Sequence, residues 1–370
     1  MAADQPVVTT LPPGLETPCL VIDLDVVERN AQRMADAVTG AGIALRPHTK
    51  THKSVRLARI QLAAGAAGVT VGTLGEAEVM AAGGVDDIFI AYPLWATGAK
   101  ADRLRALMSM TPRLTVGVDS VAGAELLAAV ARSAGRPLSV VIEVDPGNLR
   151  TGVSAQQAAD VAAAAQRLGL DVAGAFTHGG HAYRGADAIA GAADDEVRAL
   201  AEAAVALRAA GIEARVLSAG SSPTALADRV APVTELRPGT YLLGDRQQVA
   251  LGASPSDGVA IAVAATVIST NVAGQVVIDA GAKSVTKDLP AYLAGYGNLP
   301  AYPDGVIERV FDYHGAVTFP AGAARPTLGE IVAVVPNHAC TVVDLYDEFV
   351  ATRSGTIVGR WPVDARGRSG

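Results

Sequence analysis

The chain has 370 residues, 50% of them apolar, with 37 acidic against 30 basic side chains and a formal net charge of -7. That length supports one large and one smaller domain, and the acidic balance argues against nucleic acid as a partner. The longest apolar stretches are broken by Gly, Asp or Arg well before the roughly 20 residues that span a bilayer, and MAADQPVV has neither the basic nor the apolar region of a signal peptide, so a cytoplasmic location away from membranes is expected. Cys19 and Cys340 stand far apart, which excludes a disulfide framework as an organising principle.

After a frayed first dozen residues, CLVIDLD reads as a strand and VVERNAQRMADAVTGAG as an amphipathic helix beginning near Asp25. From Ile43 to about Asp245, short β-branched runs alternate with alanine-rich segments of helical length, the pattern of a parallel sheet. The strands are IALRP, GVTVGT, DIFIAY, LTVGV, LSVVIEV, VAGAFT, ARVLS and VTELRPGTYLL. Between them lie VRLARIQLAA, GEAEVMAAG, KADRLRALMSM, AGAELLAAVARSAG, SAQQAADVAAAAQRLG and DDEVRALAEAAVALRAAG, several of which end at Gly as helices do; the last crossover, around Pro223 to Val230, is short. This α/β pattern fits a (β/α)₈ TIM-like barrel better than an open doubly wound sheet. From Gly252 the texture changes to strands separated by turns: VAIAVAATVIST, QVVIDAGAK, FDYHGAVTF and EIVAVVP. The expected division is an N-terminal segment, 1–25, whose strand joins the β domain, a barrel over 26–251, and a C-terminal β domain over 252–370.

Active sites of such barrels lie at the C-terminal ends of the strands. The unusual residues fall there: PHTKTHK after the first strand, DPGNLRTG after the fifth, THGGHAY after the sixth, SAGSSPT after the seventh and RPGTY within the eighth. The chain has 25 arginines and only five lysines, and two of the five, Lys50 and Lys53, stand together at a strand end. Lysine, unlike arginine, forms an imine with a carbonyl. His48 and His52 are four apart, but Pro47 keeps the segment from being a regular helix, so hydrogen bonding around Lys50 is a better reading than metal ligation. SAGSSPT and RPGTY together resemble the phosphate cradle that barrels build after strands seven and eight. In PNHAC, His338 and Cys340 would point to one side of an extended segment, where one Zn²⁺ could reach both; Asp344 and Asp347 read as solvated.

A lysine and a phosphate cradle at one barrel mouth suit pyridoxal phosphate (PLP). TPCLVIDLDVVERN, RPHTKTHK, VGTLGEAEVMAAGG, GNLRTGV, THGGHAY, SAGSSPT, ELRPGTY and PNHAC resemble the family of D-threonine aldolase and eukaryotic-type D-serine dehydratase, built on the alanine racemase fold, from about Thr17 to the C-terminus. By that resemblance, Lys50 is the Schiff-base lysine and Arg150 contacts the cofactor's phenolic oxygen. Tyr183 approaches its pyridine nitrogen, and Ser221, Ser222, Gly239, Thr240 and Tyr241 surround the phosphate. His181 is the implied base near the substrate hydroxyl, with His178 its rival.

The family carries a metal on H-x-C or H-x-D, here His338 and Cys340, with Zn²⁺ favoured and Mn²⁺ or Mg²⁺ as alternatives. The resemblance implies a lyase for β-hydroxy-D-amino acids. H-x-C leans towards D-serine-type dehydration, with retro-aldol cleavage by a D-threonine or 3-hydroxy-D-aspartate aldolase as the alternative. A racemase is a further possibility, though no segment matches the β-domain tyrosine of alanine racemases; a PLP-binding carrier is another, argued against by the β domain. A homodimer is expected from the fold.

Overall fold

The computed structural model describes residues 11–227 and 232–370. The first strand, β1 (Cys19–Asp23), precedes eight parallel ones: β2 (Ala44–Leu45), β3 (Val69–Val71), β4 (Asp87–Pro93), β5 (Arg113–Val118), β6 (Ser139–Glu143), β7 (Asp171–Phe176), β8 (Val216–Ala219) and β9 (Glu235–Leu236). They pair in the order β2-β9-β8-β7-β6-β5-β4-β3. The two outer strands meet through Ala67 N–H to Leu45 O and Thr70 N–H to Pro47 O, both at 2.8 Å, and a His48–Thr70 parallel bridge. The sheet is therefore curled into the barrel of the alanine racemase fold.

The connecting helices stop and start where their chemistry dictates. Thr73, Ser120 and Ser154 each accept an amide hydrogen of the first turn they cap, Ser154 in a reciprocal pair with Gln157. Gly135 closes Val121–Ala134 in the left-handed region, φ 68°. The first helix spans Leu24–Gly40, and its capping acceptor is Asp23, two residues before the acid the sequence suggested: Asp23 Oδ1 takes the Asp25 and Val26 amides.

The described residues fall into two units. One holds Met34–Lys50, Ala58–Gly239 and Gly367–Gly370, and contains the barrel strands; the other holds the chain up to Arg33, Thr51–Leu57 and Thr240–Arg366. The second unit is a sheet of β1, β10 (Ile261–Ser269), β11 (Gln275–Ile278), β12 (Val306–Val310), β13 (Gly315–Thr318), β14 (Ile331–Val334), β15 (Glu348–Arg353) and β16 (Thr356–Pro362). Its order is β12-β13-β11-β10-β1-β15-β16, with β14 also on β10. The apolar run of β1 lies mid-sheet, antiparallel to β10 and parallel to β15, with Leu20 and Ile22 fully buried.

Three strands of this sheet, β12, β15 and β16, carry too many polar residues to stand out by alternation. The β15–β16 hairpin turns at Ser354-Gly355, both at positive φ (49° and 73°). The last barrel strand is shorter than its sequence suggested, because Thr240–Leu242 leaves it as a 3₁₀ turn. Of the short final crossover, Ser222–Ala225 forms one helical turn and residues 228–231 lie outside the described residues. Among the described residues no helix is long and apolar enough to cross a membrane.

A polar chain runs through the barrel wall. Arg46, directly after β2, donates to Glu235 Oε2 of β9 at 2.6 Å and to Asp87 Oδ1 of β4 at 2.5 Å. Arg113 Nε also binds Asp87, at 2.9 Å. On the other side Ser218 Oγ donates to Glu235 Oε1 at 2.6 Å and takes Arg237 Nη1 at 2.5 Å. Removing the Arg46 guanidinium strands a carboxylate that is 8% exposed. Arg46→Leu should lower the free energy of unfolding by about 3 kcal/mol or more, read from urea titrations with the slope unchanged; a loss below about 1 kcal/mol would show that the pair is solvent-compensated.

Candidate active site

In the barrel unit, the chain runs on from β2 past Pro47, where His48 N–H donates to Pro238 O at 2.9 Å, and Thr49–Thr51 then turns as a 3₁₀ helix. This turn lifts Lys50 out of the strand with its side chain exposed. His48 Nδ1 accepts the Lys50 amide at 3.3 Å. After β7, the strand end and the 3₁₀ turn Gly180–Arg184 carry His178, His181 and Tyr183, all half-buried. His178 is held well below the usual histidine value of 6.5, first by burial and then by the charges of Lys50, Arg150, Arg237 and His181. These five residues therefore form one electrostatic cluster.

The loop after β6 is shaped by its own acid. Asp145 Oδ1 accepts the amides of Gly147, Asn148 and Leu149 at 3.1, 2.8 and 3.1 Å, with Leu149 in the left-handed region at φ 57°. Arg150 follows, 53% exposed and 3.7 Å from Glu143 Oε1. After β8, Ser221 and Ser222 are buried, and Ser221 forms a reciprocal cap with Thr224. Gly220 precedes them without a side chain; a Cβ there would come 2.9 Å from Leu236 Cδ2.

In the β unit, His338 ends the segment after β14 and Cys340 lies in the first turn of the helix Ala339–Val343. The pair is thus aligned by a helix start, not by the extended geometry the sequence suggested. Their side chains hydrogen-bond to each other. Burial alone would lower the His338 pKa, but the Cys340 contact, with help from Asp245 and Asp288, carries it up to about 9. Asp288 Oδ2 lies 3.0 Å from Nδ1, the arrangement that orients metal-binding imidazoles. Cys340 Sγ is 3.2 Å from Thr51 Oγ1 and 3.7 Å from Thr240 Oγ1. Thr51 is the residue after Lys50, and Thr240 and Tyr241, both buried, directly follow Gly239.

Residues 22–247 match the model of the alanine racemase N-terminal domain, and residues 260–352 match that described as "Putative serine dehydratase domain". The chain is 36% identical to D-threo-3-hydroxyaspartate dehydratase of Delftia sp., over 94% of this chain and 97% of that one. The chain belongs to the D-threonine aldolase and serine dehydratase family of the alanine racemase fold. The solved structure of the Delftia dehydratase superposes with a TM-score of 0.86 at 35% identity, covering 94% of this chain and 97% of that one. D-threonine aldolase from Filomicrobium marinum superposes at 0.89 with 31% identity, over 98% and 99%. D-threonine aldolase of Arthrobacter sp. is 31% identical over 96% of this chain and 94% of its own. The protein is accordingly an enzyme, a PLP-dependent lyase.

The residues present fit the family's cofactor. Three cations, two buried serine hydroxyls and glycines lacking side chains suit a phosphorylated, phenolate-bearing anion. The Nδ1 atom of His181 is buried with no partner among the described residues, as a group awaiting a ligand would be. His338 and Cys340 likewise form an imidazole–thiol pair close enough for one cation. Among the described residues no group of three or more His, Cys, Asp or Glu is placed to hold a metal.

Several side chains escaped the sequence reading. Arg237 is buried, donates to Thr177 O at 2.6 Å, and lies 5.7 and 5.3 Å from the Phe89 and Phe176 ring centroids. Glu196, mid-helix and fully buried, accepts the Gly179 amide at 2.8 Å and the Gly220 amide at 3.1 Å, tying together the loops after β7 and β8. Its signal was a carboxylate on the apolar face of DDEVRAL. Asp344 is not simply solvated: its Oδ1 takes buried Lys53 Nζ at 2.8 Å, whereas 87%-exposed Asp347 pairs with Arg366. Each of the paired histidines serves its own turn, His52 Nδ1 accepting the Ser54 amide at 3.1 Å.

Because the folded value of His178 lies below 6.5, its neutral form persists on acidification while the unfolded chain takes up a proton. Stability present above pH 6.5 should therefore fall as pH drops towards the folded value. His178→Gln should flatten that part of the stability profile, and NMR of labelled histidine should show one imidazole neutral at pH 6; a titration midpoint near 6.5 for His178 would contradict this.

Proposed function

We propose that this enzyme is a PLP- and metal-dependent lyase acting on β-hydroxy-D-amino acids, with loss of the β-hydroxyl as its main reaction. Water leaves across Cα–Cβ, the enamine so formed is hydrolysed, and the net products are a 2-keto acid and ammonia. The observation that carries this reading is the His338–Cys340 contact, a thiol-bearing pair in H-x-C spacing. Support also comes from the Delftia dehydratase, whose solved structures include a histidine-to-alanine mutant and a cysteine-to-alanine mutant in the metal-free form, at positions two apart. D-Serine is the simplest substrate of this class, and 3-hydroxy-D-aspartate the one the similarity to that dehydratase favours.

Bound PLP supplies the electron sink for the α-carbanion. Lys50 Nζ would hold the cofactor through its carbonyl carbon. Ser221, Ser222, Gly239, Thr240 and Tyr241 would bind the phosphate, Arg150 the phenolic oxygen, and Tyr183 the neighbourhood of the pyridine nitrogen. His338 and Cys340 would hold the cation, Zn²⁺ by their softness, whose chemistry is to polarise the hydroxyl as a leaving group. His181 moves the proton at that hydroxyl, while His178, kept neutral, adds no charge beside Lys50. Full-length similarity to the Arthrobacter D-threonine aldolase supports a second reading, retro-aldol cleavage to glycine and an aldehyde. We further propose a cytoplasmic homodimer, on the habit of the fold.

The test is product identity on D-serine, D-threonine, 3-hydroxy-D-aspartate and aryl-serines, with their L-isomers as controls. Keto acid and ammonia from D-isomers are expected, with a strong chelator ending turnover while the cofactor's absorbance persists. Lys50→Ala should lose that absorbance and at least about 10²-fold in rate. Cys340→Asp, a harder ligand, should lose elimination. Glycine and aldehyde alone would replace the dehydratase reading with the aldolase; full turnover in chelator with no bound metal would sink the cation's role.

A further inference from the structure

Resting on that lyase reading, we infer that Asp195 is a positioning residue: it fixes the tautomer of His181 so that Nδ1, not Nε2, is the proton acceptor. His181 stands in the 3₁₀ turn Gly180–Arg184, and the helix Ala188–Ala209 passes beside it. From that helix Asp195 Oδ2 comes 3.1 Å from His181 Nε2. The other oxygen, Oδ1, takes Arg198 Nη2 at 2.5 Å from one turn further along, so the carboxylate is gripped from its far side. An ionised carboxylate only accepts hydrogen bonds, so a neutral ring facing it must carry its hydrogen on Nε2. That leaves a bare lone pair on Nδ1.

The Nδ1 atom is itself buried and has no hydrogen-bond partner among the described residues. The opposite tautomer would incur two penalties at once, an orphaned buried N–H and a lone pair against a carboxylate. A lone pair kept buried and unfilled, in a side chain 11% exposed, is an acceptor held ready for a proton from outside the protein. It belongs to the Lys50 cluster, since both His181 and Lys50 act on His178. The proton available there is that of the substrate's ammonium group, and in the elimination His181 then returns it to the hydroxyl that leaves as water.

The experiment is NMR of ¹⁵N-histidine-labelled, PLP-loaded protein together with steady-state kinetics. Wild type should show His181 as the Nε2–H tautomer. Asp195→Asn can turn its NH₂ towards the ring and favour the other tautomer, as it does in catalytic triads. It should lose at least about tenfold in kcat with KM within about twofold. Asp195→Glu should recover part of the rate, and Asp195→Asn added to His181→Gln should cost nothing more. An Nδ1–H tautomer in wild type, or wild-type kcat in Asp195→Asn with its fold intact by circular dichroism, would overturn the inference. If wild type turns over none of the substrates, the lyase reading fails and the tautomer alone decides the role of Asp195.

Discussion

The barrel depends on one guanidinium. Arg46 joins Glu235 and Asp87, acids from two other strands, at the point where β2 ends, and four residues later the chain reaches Lys50. Strand β2 has two residues in its ladder, too few to hold a register by backbone pairing alone. The fork geometry of arginine supplies what the ladder lacks, because its donors reach two acids in fixed directions. Gly68 makes room for it: a Cβ there would meet Arg46 Nη1. The lysine's position is thus set by charge pairing in the wall, not by the strand that carries it.

The same logic extends inward. Glu235 passes its second oxygen to Ser218, and Ser218 accepts Arg237, which is stacked near Phe89 and Phe176 and donates to the carbonyl just before His178. A buried positive charge close to the histidines raises the cost of a second one, which is part of why His178 stays neutral. Two neighbouring acids of one helix divide the remaining work. Asp195 faces an imidazole, while Glu196 gathers the amides of two loops. Successive positions on a helix point about 100° apart, so one turn serves both.

Much of this was legible in the sequence. The eight β-branched runs and their alanine-rich partners specified the barrel because each strand is buried on both faces and must read as a continuous apolar run. The chemistry-bearing residues were legible by scarcity: Lys50 among five lysines, and His178, His181 and His338 among six histidines. What escaped were residues whose meaning is a long-range pairing. Nothing local in DDEVRAL tells Asp195 from a solvated acid, nor could Lys53 be matched to Asp344 across nearly 300 positions. Strand β16 escaped for a related reason: TIVGRWP is exposed along most of its length, so burial imposes little pattern on it.

The turn that Asp145 builds has a thermodynamic consequence. Three amides converge on one carboxylate oxygen before any ligand arrives, and Leu149, 86% exposed, is held in a left-handed conformation that a free loop would rarely visit. The entropy of ordering this backbone is spent during folding, at about 1–2 kcal/mol per residue. An anion that engages Arg150 then has only the arginine side chain left to immobilise. Its affinity is set by charge and contact, with little deducted for shaping the loop.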